Sequence, residues 1–358
     1  AFFGTEYNVL VRAQAIQSDG FGNVAEDALI TGFGDGIPLD MTFDYGVSLY
    51  DALHYYGGNI TEEDITSKVT SVTFGYNKEH KDIITNTNIR SVLVGAEQDV
   101  PVYTYYVENG SNYDLYVLAD SAIYTPKDST RLFRGMSSLT KVDTANMDVS
   151  RTEIMSNMFR DCSQLTSLDV SRWDVSNVTK MNSVFENCSN INNLDVSQWK
   201  VDNVKDMSWM FYACGNIADL NVSNWKVNNV ETFQRIFSGC RKIPSTIGVE
   251  KWQPTSAKNM LWMFCECENF TELDLRGWDV STVEQTGAMF EKCLALKKLN
   301  VSTWDVSNVF EMGVMFRRCE VLEELDLSQW KTESLLRTNN MFENCYKLEK
   351  IHFRQIKF

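Results

Sequence analysis

A spacing of 26 residues runs through the chain from about residue 131 to its end. Cysteine recurs at this spacing at Cys162, Cys188, Cys214, Cys240, Cys267, Cys293, Cys319 and Cys345. Tryptophan keeps the same spacing at Trp173, Trp199, Trp225, Trp252, Trp278, Trp304 and Trp330. Both series contain one step of 27, so a single extra residue lies between Cys240 and Trp252. Two series in phase indicate internal repeats, and such a period is typical of repeats that stack on one another.

The apolar residues inside one repeat predict a helix followed by a strand. The helical spacing i, i+3, i+4, i+7 is occupied by Met181, Val184, Phe185 and Cys188. Leu194 and Val196 then alternate with Asp195, as in a strand with one buried face. We therefore predict an α/β solenoid of leucine-rich-repeat type over 131–358, made of nine 26-residue repeats with one short helix and one short strand each.

The repeat resembles that of a known family, the BspA-like bacterial surface proteins with leucine-rich repeats. The residues that carry the resemblance are Met158, Phe159, Cys162, Leu165, Leu168, Asp169, Val170, Ser171, Trp173, Asp174, Val175, Ser176, Asn177 and Val178. The resemblance implies an extracellular solenoid used in adhesion and partner binding. It implies no single ligand.

The first 130 residues differ from the repeats in charge and pattern. They hold 6 Lys and Arg against 19 Asp and Glu, a net charge of −13 in a chain whose total is −15. We predict an acidic N-terminal module over 1–66, β-rich or α+β, and a small β-sheet over 67–130 that caps the solenoid. The acidic charge disfavours nucleic acid as a partner, because phosphates are repelled. No apolar run is long enough for a membrane span, so membrane insertion is not expected.

Within this region, alternating apolar residues predict individual elements. Predicted strands lie at 9–15, 69–74, 89–94, 102–107 and 113–118. The last two flank a Gly-containing turn at 108–112 and should form a hairpin. A short helix is predicted at 48–56.

The cysteines have two interpretations. One thiol per repeat on the apolar face favours buried core thiols, with zinc binding or disulfides as the alternative. Cys265 lies off the series, at a position filled elsewhere by polar side chains, and is expected to be exposed and reactive. A second series consists of Asp143, Asp169, Asp195, Asn221, Asp274, Asn300 and Asp326. It suits either a cation site or repeated Asx turns, and the recurring Ser and Trp that follow favour the turns. No metal site is expected.

The sequence offers no candidate catalytic residues. It contains no arrangement of Ser, His and Asp and no phosphate-binding loop, so we predict a protein that is not an enzyme and uses no cofactor.

Two surfaces are predicted to bind a partner. The first combines aromatic residues with an arginine, the usual composition of an interaction hot spot: Trp209, Tyr212, Arg235 and Trp262. The second is a column of variable charge on the strands: Ser167, Asn193, Asp219, Glu272, Lys298, Glu324 and Lys350. The alternatives are that the aromatic rings only shield their neighbours and that the column is an unselected, solvated face.

These features predict a non-enzymatic binding or adhesion protein displayed outside a cell or on its surface. Its partner would be a protein or a glycan on another surface. The alternative is a structural subunit of a large assembly such as a virion, in which the N-terminal module docks onto other subunits and the solenoid projects from the virion surface.

Overall fold

The computed structural model describes residues 61–97 and 100–353. The chain divides into two compact units, Ala1–Asp169 (the first unit) and Val170–Phe358 (the second unit). The predicted strand at 9–15, the predicted helix at 48–56 and most of the predicted module 1–66 lie outside the described residues.

The described α-helices are both short and both belong to the first unit. They are α1 (Glu62–Lys68) and α2 (Lys81–Thr85), and 3-10 helices lie at Asn77–Glu79 and Val249–Lys251. Helix α1 begins with a capping box, in which Thr61 and Asp64 each accept a hydrogen bond from the other's backbone N–H.

The described strands divide between the units at residue 169. Those of the first unit are β1 (Val69–Tyr76), β2 (Arg90–Glu97), β3 (Val100–Asn109), β4 (Asn112–Ala119), β5 (Ile123–Tyr124), β6 (Lys141–Asp143), β7 (Met147–Asp148) and β8 (Ser167–Leu168). Those of the second are β9 (Glu272–Asp274), β10 (Lys298–Asn300), β11 (Glu324–Leu327) and β12 (Lys350–Phe353).

A six-stranded sheet organises the first unit, in the order β2-β3-β4-β1-β6-β8. The pairs β2–β3 and β3–β4 are antiparallel, and β1 pairs in parallel with β4 and β6. The predicted strands at 69–74, 89–94, 102–107 and 113–118 are confirmed, and so is the hairpin, which turns at Gly110 with a φ of 64°. Because β6 and β8 belong to the first repeats, the sheet continues from the N-terminal strands into the repeats.

The predicted helix in each repeat is wrong. In the repeat around Cys214, the N–H groups of Met210, Tyr212 and Cys214 donate to carbonyls three residues earlier, as in successive turns. The intervening N–H groups donate instead to the next repeat: Met207 to Thr232, Trp209 to Gln234, Phe211 to Ile236 and Ala213 to Ser238, at 2.7–3.1 Å. In an α-helix every N–H after the first turn donates to the carbonyl four residues earlier, so this segment is a series of turns bonded in parallel to its neighbour.

The predicted strand in each repeat is present only in part. Strands β9 to β12 form a four-stranded parallel sheet in which Glu272 pairs with Lys298, and Glu324 with Lys350. The repeat before Cys214 contributes only an isolated bridge between Asn193 and Asp219 at this place. The described chain therefore consists mainly of strands, bridges and turns, and the prediction of an α/β leucine-rich-repeat solenoid is incorrect.

Tryptophan and phenylalanine columns fill the core of the second unit. Consecutive Trp rings from Trp173 to Trp330 lie 6.1–6.4 Å apart with interplanar angles of 2–12°. Each indole from Trp199 onward donates from Nε1 to a backbone carbonyl of the preceding repeat, for example Trp225 to Val196 at 3.0 Å. The phenylalanines three residues before the cysteines stack in the same way from Phe185 to Phe342. The regular spacing of the aromatic residues in the sequence thus places their rings in continuous stacks.

The extra residue between Cys240 and Trp252 is accommodated by a local change in the backbone. The 3-10 helix Val249–Lys251 lies here, preceded by Gly248 with a φ of 97°. A Cβ atom at Gly248 would lie 2.4 Å from the Cβ of Ser223, so only glycine fits. Trp252 consequently keeps its place in the stack, 6.1 Å from Trp225.

Candidate functional site

The residue five positions before each cysteine has a left-handed backbone. In the second unit this position holds Ser183, Trp209, Arg235, Trp262, Ala288, Val314 and Asn340, with φ between 52° and 61°. Glycine and asparagine adopt this conformation readily, whereas a bulky or β-branched side chain is strained in it. Three consecutive repeats nevertheless place Trp, Arg and Trp here.

These three residues and Tyr212 form one cluster, which we call the arginine–aromatic patch. The guanidinium carbon of Arg235 lies 4.6 Å from the ring centre of Trp209 and 4.3 Å from that of Trp262. It lies 5.6 Å from the ring of Tyr212, which contacts Trp209 edge-on at 4.8 Å. All four side chains are partly exposed. The predicted clustering is confirmed, and the arginine between two indoles holds the rings in place.

Arg235 has no counter-charge among the described residues. Its Nε is buried without a hydrogen-bond partner. No described carboxylate forms an ion pair with its guanidinium. The patch therefore carries a guanidinium that is not ion-paired with the described residues and that lies over two indole rings.

An open groove of about 710 Å³ adjoins the patch, lined by Tyr212, Arg235 and Trp262 among others. Three further basic residues line it, Arg241, Lys242 and Lys292, against two carboxylates, Glu266 and Glu291.

Both carboxylates of the groove are neutralised by basic neighbours. Lys292 Nζ lies 2.6 Å from Glu266 and lowers the pKa of that carboxyl, with Arg241 at 3.3 Å from it. Glu291 is buried and pairs with Arg317. Arg235 and Lys242 then remain as the cations of the groove that are not ion-paired with any described residue, within a strongly acidic chain. Sequence reasoning missed this groove. The signal that could have revealed it is that Arg241 and Lys242 directly follow Cys240, in the repeat that contains Arg235.

The second predicted surface does not join this groove. Its residues are all exposed. Ser167 lies on β8 in the first unit, and none of the column residues lines the groove beside the patch. Lys298 forms an ion pair with Glu272 at 2.8 Å, and His352 Nε2 lies within hydrogen-bond distance of a carboxylate oxygen of Glu324, at 3.1 Å. Exposed pairs of this kind contribute little to stability.

The acidic series forms Asx turns, as predicted. Carboxylate or amide oxygens of Asp143, Asp195, Asn221, Asp274, Asn300 and Asp326 accept from the N–H two residues later at 2.9–3.3 Å. The N–H of Ser328 holds the pKa of Asp326 below its usual value. No group of three potential metal ligands occurs among residues 61–97 and 100–353.

The cysteines of the repeats are free thiols, as predicted, and all but Cys345 are buried. Their Sγ atoms donate to the carbonyl of the phenylalanine in the preceding repeat, as Cys214 does to Phe185 at 3.0 Å. The prediction that Cys265 is exposed and reactive is wrong. Its side chain is 7% exposed, and burial raises its pKa to about 12, helped by the charges of Glu291 and Glu266.

The folded protein is expected to react with a thiol-alkylating reagent first at Cys345. Only the thiolate reacts, and burial raises the pKa of Cys214 to about 12 and that of Cys345 to about 11. Mass spectrometry of the protein alkylated at pH 8 measures labelling at each site, and the unfolded protein is the control in which all nine thiols react. Early labelling of Cys265 would contradict the structure.

None of the described helices is long and apolar enough to span a lipid bilayer. The fold and the site together define a repeat protein whose turns pair in parallel and whose surface carries a basic, aromatic groove. A family model described as "Mycoplasma protein of unknown function, DUF285" matches residues 127–252 and 244–352. These matches cover more than half of the chain, which therefore belongs to this family. No curated protein and no solved structure matched it.

Proposed function

We propose that the chain is a non-enzymatic binding protein, displayed on a cell surface, that adheres to another surface through the arginine–aromatic patch. The observation that carries this proposal is that Arg235 lies over the rings of both Trp209 and Trp262 in a cluster that stays partly exposed. The resemblance to BspA-like surface proteins supports the adhesive role and the extracellular location.

The exposure and composition of these positions favour a binding role over a structural one. A left-handed conformation costs a non-glycine residue about 1–2 kcal/mol, and asparagine less. Trp209 and Trp262 do not recover this cost by filling the core, because both remain partly exposed. Trp, Tyr and Arg are the residues that dominate hot spots of interfaces. Val314 has the same backbone outside the patch, so the exposure of the stacked Trp and Arg side chains, and not the backbone alone, favours partner contact.

The double variant Trp209→Asn/Trp262→Asn is expected to lose at least about tenfold in affinity for a cell surface, since hot-spot residues contribute about 2 kcal/mol or more. Its melting temperature should change by less than about 2 °C, because asparagine suits the backbone at both positions. Flow cytometry of the labelled chain on cultured epithelial cells measures saturable binding, and calorimetry measures stability.

Val314→Asn is the matched control, because Val314 has the same backbone conformation but lies outside the patch. It should retain full binding and gain about 1 kcal/mol in stability by relief of strain. Unchanged binding by the double variant, or a fall of more than about 5 °C in its melting temperature, would contradict the proposal. Self-association that light scattering shows to depend on the patch would instead support a subunit of a large assembly.

A further inference from the structure

We infer that the groove beside Arg235 binds a carboxylated sugar, as found in glycans that contain sialic or uronic acid. This inference rests on the proposed function and specifies the ligand of the same patch.

The first support is the state of Arg235. Its guanidinium lies over the rings of Trp209 and Trp262, at 4.6 Å and 4.3 Å from their centres, and Arg235 lines the groove. It forms no ion pair with any described carboxylate, and its Nε is buried without a hydrogen-bond partner. A planar guanidinium fixed in this way presents paired donors that match the two oxygens of a carboxylate.

The second support is the charge of the groove. Arg235, Arg241, Lys242 and Lys292 line it, while Glu266 is held by Lys292 and Arg241. Glu291 is already paired with Arg317. Once these ion pairs are set aside, Arg235 and Lys242 are the charged side chains left to meet a ligand among the described residues of the groove. Both are cationic, so an anion is favoured over a neutral or cationic molecule.

The third support is the combination of aromatic and small polar groups. The rings of Tyr212 and Trp262 line the groove together with the partly exposed amide of Asn216. A sugar ring has one apolar C–H face, which packs on an aromatic ring, and hydroxyl groups around its edge, which bond to amides and hydroxyls. This lining suits a pyranose that carries a carboxylate.

The backbone of the groove argues against an acidic peptide. Extended peptides gain affinity by pairing with unused backbone groups at a sheet edge. Here the N–H groups of Ala213, Gly239 and Glu266 each donate to the next repeat at 2.8 Å. These donors are unavailable to a peptide main chain, whereas a sugar is recognised through side chains.

The test uses the full chain immobilised on a biosensor. The probes are 3′-sialyllactose, 6′-sialyllactose and a hyaluronan tetrasaccharide, with lactose and chitotetraose as uncharged counterparts. We expect at least one carboxylated probe to bind about tenfold or more tightly than its neutral counterpart, the effect of losing one charge-assisted contact. Which acidic probe binds distinguishes sialic from uronic acid. Methyl esterification of the carboxylate should abolish the preference without any change to the protein.

Arg235→Gln should lose at least about tenfold in affinity for the acidic probe. The affinity of Arg235→Lys should lie between those of the unchanged protein and Arg235→Gln. Arg276→Gln is the matched control, since Arg276 is exposed, pairs with Asp274 and does not line the groove. Equal binding of neutral and acidic probes, or full binding by Arg235→Gln, would overturn the inference.

Two further outcomes separate this inference from the proposed function. Cell binding that depends on Trp209 and Trp262, without binding of any acidic sugar, would leave the proposed function standing and refute the ligand. Binding of a Glu-rich peptide in place of the sugars would do the same. Absence of both cell and sugar binding would refute both.

Discussion

Trp225→Ala is expected to lower the free energy of unfolding by about 3–5 kcal/mol, the usual effect of truncating a large buried aromatic residue. Trp225 is 3% exposed and stacks between Trp199 at 6.4 Å and Trp252 at 6.1 Å. Its Nε1 also donates to Val196 O at 3.0 Å. The substitution therefore opens a cavity in the middle of a continuous column and removes a hydrogen bond between repeats.

Denaturant titration followed by circular dichroism measures this loss. Trp225→Phe keeps a ring in the column and should cost less, because Val196 O still accepts from the N–H of Trp199. Leu336→Ala is the exposed control, since Leu336 is 81% exposed and its truncation should change stability by less than about 0.5 kcal/mol. Equal effects of Trp225→Ala and Leu336→Ala would show that the stacked column does not stabilise the fold.

Cys214→Asp is expected to destabilise the protein by about 4 kcal/mol or more, because it places an unpaired charge in a closed site. The Cys214 side chain is 0% exposed and its Sγ donates to Phe185 O. Burial already raises the pKa of this thiol to about 12, so the site disfavours a negative charge. Cys214→Ser retains a donor of similar size and should cost about 1–2 kcal/mol.

The pH dependence of stability shows whether the buried charge or steric misfit destabilises Cys214→Asp. Burial should raise the pKa of the new carboxyl above its unfolded value of about 3.9, so the deficit should be smallest below pH 4 and should grow as pH rises through the folded pKa. Unfolding titrations of the aspartate and serine variants at pH 4 and pH 7 measure it. A deficit that is the same at both pH values would show that steric misfit, and not charge, destabilises the variant.

The spacing of the apolar residues predicted which side chains are buried, but not the backbone conformation of the segment that carries them. Met207, Met210, Phe211 and Cys214 are all buried, as their helical spacing predicted. Two successive turns place the same positions inward, so the apolar period cannot distinguish turns from a helix. What decides between them is that alternate N–H groups donate to a neighbouring repeat, a long-range feature with no signature in one repeat.

The candidate site was predictable for a related reason. Residues at equal positions in neighbouring repeats lie side by side whatever the local backbone, which brought Trp209, Arg235 and Trp262 together despite the incorrect helix. The fate of Cys265 was not predictable in this way, because its burial depends on the left-handed turn beside it and on contacts with Ser238 and Glu291.

The alternating donors of the turns also bear on how such a gene can change. From Met181 onward, alternate N–H groups in the turns of one repeat donate to carbonyls of the repeat that follows, at equivalent positions each time. Recombination that adds or removes one whole period preserves this register, whereas loss of a few codons within the bonded turns breaks it. Gain or loss of whole repeats is thus compatible with this bonding, whereas the patch requires its three repeats to remain consecutive.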